Sequence, residues 1–175
     1  MIMLTLGQSL INKQVLSLRN GTPIGTVTGV LIDPNNLKIE GWYAQDKFSK
    51  ERKIILANEV RDIIPQGFVV DDDVALSASQ DLVRLNPIIQ LNFELVDKPV
   101  ISDSKRRLGK ITDYAFDKDA MFIQKLYVGQ SMLKSFSGGT LTIDREQIIE
   151  VTNRKVVVKE ATVTEQAPLP AAMNA

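Results

Sequence analysis

The fold that the sequence predicts is all-β: two small β-barrels in tandem, joined by a short helical linker. Three observations predict it. The chain writes one pattern twice, "PIGTVTGVLIDPNNLKIEGWY" at residues 23–43 and "RLGKITDYAFDKDAMFIQKLY" at residues 107–127. Runs rich in Val, Ile, Thr and aromatic residues are broken by turn chemistry such as "RNGTP", "DPNN", "PQG", "DKDA" and "SGG", the texture of short strands. Length differences between the two copies fall only between those runs, where surface loops tolerate them.

The copies align by simple arithmetic. "LINKQVLS" from Leu10 lies over "LVDKPVIS" from Leu95 at an offset of 85. From Ile24 the offset is 84: Gly25 meets Gly109, Val27 meets Ile111, Asp33 meets Asp117, Ile39 meets Ile123 and Tyr43 meets Tyr127. After a further loop it is 88, with Ile55 over Ile143, Phe68 over Val156 and Val70 over Val158. A period of this length is too long for a solenoid repeat and suits a duplicated small domain. The expected boundaries are a first barrel at 5–76, a linker at 77–92, a second barrel at 93–160 and a disordered tail at 161–175.

Taken in order, each unit reads as five or six short strands. Asn20-Gly21 signals a hairpin, because a primed turn needs positive φ at its central residues. In the long strand that follows, neither face is cleanly apolar as written. A bulge near Gly29 and its counterpart Asp113 would bring Val27 and Ile111 onto the side of Val30, Ile32, Tyr114 and Phe116. Such a kink curls a short sheet. Asp33 and Asp117 close that strand and read as turn openers whose carboxylates bond backbone amides two residues on. Gly25 and Gly109 read as structural positions at its start. Between the units, Ser79 can cap a helix carrying Leu82, Leu85 and Ile89 at helical spacing, with Pro87 kinking or ending it.

Composition narrows the chemistry. The 175 residues are 44% hydrophobic and 24% charged, and 21 basic residues balance 21 acidic ones. No global field steers such a chain to nucleic acid or an anionic membrane. With neither cysteine nor histidine, it lacks thiolate nucleophiles, disulfides, zinc-type ligands and the commonest general base at neutral pH. No stretch of about 18 apolar residues is present to span a bilayer. The N-terminal "MIMLTLGQSLINK" has no basic n-region or small-residue cleavage site, so the expected address is cytoplasmic.

The segments "GTPIGTVTGVLIDPNNLKIEGWYAQ" and "KIILANEVRDIIPQGFVVDD", with their second copy, resemble the PRC-barrel domain. That family includes the cytoplasmic part of the photosynthetic reaction-centre H subunit and the C-terminal part of the ribosome maturation factor. The resemblance covers residues 5–76 and 91–160, and "SQDLVRLNPIIQLNF" is similar to the linker of tandem PRC-barrels. It implies small β-barrels that act mainly as docking surfaces, with no catalytic residues to carry over; no cofactor and no metal site is expected.

The function expected on these grounds is a non-catalytic cytoplasmic protein-interaction module, an adapter or scaffold. Its candidate partner-binding residues are Met132, Leu133 and Phe136, apolar anchors in "GQSMLKSFSGG", and Lys105, Arg106, Arg107 and Lys110 in "SKRRLGK". Those cations and Lys47, Lys50, Arg52 and Lys53 in "KFSKERK" also permit a ribosome- or RNA-associated role, although Phe48 is the one aromatic among them. A third reading is a metal or small-molecule binder using Asp71, Asp72 and Asp73. Consecutive strand residues, however, point to alternate faces.

Overall fold

The computed structural model describes residues 2–130, 139–160 and 164–166. Its strands are β1 (Leu4–Leu6), β2 (Gln14–Ser17), β3 (Pro23–Asp33), β4 (Lys38–Asp46), β5 (Arg52–Leu56), β6 (Asp62–Ile64), β7 (Gly67–Val70) and β8 (Leu76–Ser77), then one short helix, α1 (Asn86–Leu91). There follow β9 (Pro99–Ser102), β10 (Arg107–Asp117), β11 (Ile123–Gly129), β12 (Thr140–Asp144), β13 (Ile148–Val151), β14 (Val156–Val158) and β15 (Thr164–Gln166). Two compact units divide the chain. One takes the residues up to Phe93 with Phe116–Phe122, and the other takes Glu94–Ala115 with the residues from Ile123 onward.

The repeat in the sequence is a repeat in structure. The sheet orders are β6-β7-β2-β3-β4-β5-β8 and β13-β14-β9-β10-β11-β12-β15, the same path in each copy. Both contain one parallel ladder, β2 with β7 and β9 with β14. Gln14–Ser17 and Pro99–Ser102 keep the 85 offset, Pro23–Asp33 and Arg107–Asp117 keep 84, and Arg52–Leu56 and Thr140–Asp144 keep 88. Even backbone specials recur: Asn12 and Asp97 have φ of 68° and 69°, and Leu37 and Met121 have 54° and 60°.

The bulge in the long strand is present. The β3–β4 register shifts between Val27 and Gly29 and again between Leu31 and Ile32. As a result Val27, Leu31 and Ile32 are buried and Thr26 and Thr28 exposed, while Val30, expected on the buried side, is only half-buried and Leu31 takes its place. In the second copy Ile111, Tyr114 and Phe116 are buried across the exposed Thr112. Around Trp42 the core holds Val15, Ile24, Ile39, Ile55, Phe68 and Val70, each nearly inaccessible. The equivalents Val100, Leu108, Ile123, Ile143, Val156 and Val158 are buried likewise.

Of the tail expected at 161–175, Thr164–Gln166 form β15 against β12 and the other residues lie outside those described. Three expectations change. The hydrogen-bonded path stays open: among the described residues no ladder joins β6 to β8 or β13 to β15. Bulges curl the sheet, but end strands of two to four residues carry too few backbone groups to bridge it. The linker does not form a helix capped by Ser79. It makes two single 3-10 turns, Ser79–Asp81 and Val83–Leu85, before α1, and Pro87 sits in the first turn of α1. Proline lacks an N–H and presets φ, so the helix starts around it. The apolar stripe is nonetheless spent as core, since Leu85 joins Leu31, Tyr43 and Ile54, with Leu82, Ile88 and Ile89 packed on them. At Asn20-Gly21, Gly21 alone takes positive φ, 64°, and the loop is longer than a two-residue turn, closing where Ser17 N donates to Thr22 O (3.0 Å).

A candidate interaction surface

One end of the first sheet gathers three loops. β3 starts there, because its Pro23 pairs with Leu16, and β4 ends there, because Asp46 pairs with Gly25. The parallel β7 ends at the same level, Val70 facing Ser17. The loops 18–22, 47–51 and 71–75 therefore emerge side by side. Leu18 N donates to Val70 O (2.9 Å), Arg19 N to Asp71 O (3.0 Å) and Lys47 N to Ile24 O (2.9 Å).

Each loop carries one large apolar side chain into solvent: Leu18 is 63% exposed, Phe48 76% and Val74 79%. Such residues gain nothing for the fold, and exposed apolar side chains on neighbouring loops are what a candidate binding surface offers. The loops that present them are fixed from below. Asp46 Oδ1 accepts from Phe48 N (2.8 Å) and Ser49 N (3.2 Å), while its Oδ2 meets Lys53 Nζ at 2.9 Å. Asp72 Oδ1 accepts from Val74 N (3.0 Å), and Ser17 Oγ accepts from Asn20 N (3.4 Å).

Burial alone would push the Asp46 carboxyl upward. The Lys53 ammonium and the Phe48 and Ser49 amides outweigh it and hold the group below the usual carboxylate value. A depressed folded-state value stabilises the fold above the ordinary carboxyl range and loses that contribution as pH falls through the folded value. Asp46→Asn is therefore expected to cost about 1–2 kcal/mol near neutral pH. Urea titrations of the two proteins should converge as the pH is lowered through the carboxylate range. A gap that widens in acid would refute this account of the loop.

Two of the four cations around this loop are committed, while Lys47 and Lys50 are exposed. Lys53 belongs to Asp46, and the Arg52 guanidinium lies 3.7 Å over the Tyr43 ring. Two of the three aspartates of the run are committed, and Asp73 is exposed. Asp71 takes a bidentate contact from Arg61 (2.9 and 2.6 Å), and Asp72 caps its turn and stands 3.9 Å from Arg19.

The other sequence-predicted residues are placed as follows. Asp33 Oδ1 accepts from Asn35 N (2.9 Å), and Asp117 Oδ1 accepts from Asp119 N (2.9 Å) and Ala120 N (3.3 Å). Gly25 and Gly109 stand where strands approach closely: an added Cβ would meet Gln45 O at 2.8 Å and Gly129 O at 2.1 Å. Lys105, Arg107 and Lys110 are exposed, whereas Arg106 pairs with Glu160 (3.0 Å), a carboxylate that Ser104 Oγ also contacts. Met132, Leu133 and Phe136 lie outside the described residues.

Reasoning from sequence missed Leu18 and Val74, which sit beside turn residues without any periodicity to set them apart from core. It passed over Asp46 as well, although "DKFS" has the aspartate-led turn form recognised at Asp33. One arrangement recurs in both units: Lys13 Nζ donates to Pro65 O (3.0 Å), and Lys98 Nζ donates to Asn153 O (2.8 Å). Each lysine ties the start of its unit to the turn before the last ladder. No helix among the described residues is long and apolar enough to cross a membrane. No family model matches the chain, and no curated protein matches it.

Proposed function

We propose that this chain is a non-catalytic protein-interaction module of the PRC-barrel type, working in the cytoplasm, and that it docks a partner protein through the loop end of its first unit. The observation that carries this reading is the exposure of Leu18, Phe48 and Val74 on three adjacent loops whose backbones are pinned by Asp46, Asp72 and Ser17. A rigid frame under apolar tips lowers the entropy lost on binding, and a few such anchors can supply most of an interface's energy. The family resemblance in both repeats supports the same conclusion.

The test is crosslinked affinity capture from cytosol with the whole chain, beside the variant Leu18→Ser, Phe48→Ser, Val74→Ser. One discrete protein is expected with the first and lost with the second, while the unfolding midpoint changes little, because these side chains are already in water. A second variant, Met132→Ser, Leu133→Ser, Phe136→Ser, separates that loop from this one. Capture unchanged by the first variant would remove this surface. Recovery of RNA with a steep salt dependence would favour the cations at Lys105, Arg107 and Lys110 instead.

A further inference from the structure

Asn20-Gly21 is the one Asn-Gly pair in the chain. Both residues are exposed, in the loop between Leu18 and β3. We infer that Asn20 is a site of self-modification, where the neighbouring backbone nitrogen converts the side-chain amide into a carboxylate and so adds a negative charge to the loop end of the first unit.

The chemistry needs only water. The Gly21 backbone nitrogen gives up its proton to solvent base and attacks Cγ of Asn20. A new C–N bond closes a five-membered imide, and the side-chain nitrogen leaves as ammonia, regaining a proton. Water then adds to one of the two imide carbonyls and the ring C–N bond at that carbon breaks. Opening at the side-chain carbonyl gives aspartate, and opening at the main-chain carbonyl gives isoaspartate. No electrons change hands. Attack within one chain has the large effective concentration of any intramolecular nucleophile, provided the two atoms can approach.

Position 21 lets them approach. Gly21 has no side chain, φ of 64°, and open space within 4 Å of where a Cβ would stand. Two contacts oppose the reaction: Gly21 N donates to Ser17 O at 2.8 Å and Asn20 N donates to Ser17 Oγ at 3.4 Å. Both must open first, a local opening of loop 18–22 away from the buried strand end at Ser17. The remaining asparagines are poorer candidates. Asn86 precedes Pro87, which has no N–H to deprotonate, and Asn35 is held by its own Nδ2 on Asp33 (3.0 Å). Every other asparagine is followed by a residue with a side chain.

The product matters because of where it forms. A carboxylate at position 20 stands next to Arg19, which faces Asp72 at 3.9 Å, and beside the exposed Leu18. An added charge of this kind reorganises a local pair or repels an apolar partner. That consequence rests on the docking reading above, whereas the chemistry does not.

The experiment incubates the purified full-length protein in mildly alkaline buffer and maps residue 20 by mass spectrometry, with Gly21→Ala and Asn20→Gln in parallel. Expected is a mixture of aspartate and isoaspartate at position 20 that forms faster as pH rises, slowly in Gly21→Ala and not at all in Asn20→Gln. An amide that persists in the folded chain, while the urea-unfolded chain in the same buffer converts, would overturn the site. Capture is then run with fresh protein, aged protein and Asn20→Asp. Lower recovery of the partner by the last two supports the regulatory half, and equal recovery overturns it. Failure of fresh protein to capture anything counts against the docking reading while leaving the mapped chemistry standing.

Discussion

Gly109→Ala is expected to lower the unfolding free energy by about 2–5 kcal/mol, the combined scale of backbone strain and overpacking. Gly109 holds φ of 140°, and an added Cβ would stand 2.1 Å from Gly129 O and 3.1 Å from Val128 Cγ1. The carbonyl belongs to a strand and cannot swing aside as a flexible side chain could. Its repeat partner makes the internal control. Gly25 lies at the equivalent position without the left-handed φ, and its added Cβ would be 2.8 Å from Gln45 O. Gly25→Ala should therefore cost clearly less, about 1–3 kcal/mol. Urea unfolding of the two variants under one set of conditions checks the order. If Gly25→Ala were the more damaging change, the close approach of strands inferred at Gly109 would be wrong.

Trp42→Ala is expected to cost about 3–5 kcal/mol, as for other large aromatic truncations in a packed core. Trp42 is fully buried, with the Phe68 ring 4.8 Å away and the Phe116 ring 6.1 Å away, both tilted. Its indole Nε1 finds no hydrogen-bond partner among the described residues. Replacing it by phenylalanine therefore discards an unpaired polar group along with some volume, and these effects oppose each other. Trp42→Phe should cost less than about 2 kcal/mol. As the single tryptophan in the chain, Trp42 also supplies its own readout: emission should be that of a dry indole in the folded protein and move to the red on unfolding. Emission at the wavelength of hydrated indole in native buffer would contradict the burial.

Much of the architecture was legible because duplication supplies a built-in control. A residue type kept at both positions of a pair, as at Gly25 and Gly109 or Asp33 and Asp117, marks a local need: close strand approach in one case, a turn-opening carboxylate in the other. The bulge could be read for a similar reason, since only a shift near Gly29 and Asp113 makes both long strands amphipathic. The start of the linker helix could not. Ser79 is a good cap in isolation, but Pro87 and the packing of Leu82 and Leu85 on the first sheet draw the helix to Asn86. The candidate surface was not legible, since Phe48 stood out only as the one aromatic of a basic stretch. A leucine or valine beside turn residues looks the same whether it turns inward or outward.

By itself, then, the order of amino acids determined what is decided within a few residues: the strand segments, the aspartate turns, the bulge that restores an apolar face, and the fact that all of it occurs twice. Tertiary structure alone decided what depends on residues far apart. That includes the parallel ladders of β2 with β7 and β9 with β14, the lysines that reach carbonyls more than fifty positions away, and the side-by-side arrangement of the loops bearing Leu18, Phe48 and Val74. The reason is that local preference arises from sterics and hydrogen bonds between near neighbours. Pairing across the chain is selected by which distant apolar faces can be buried together.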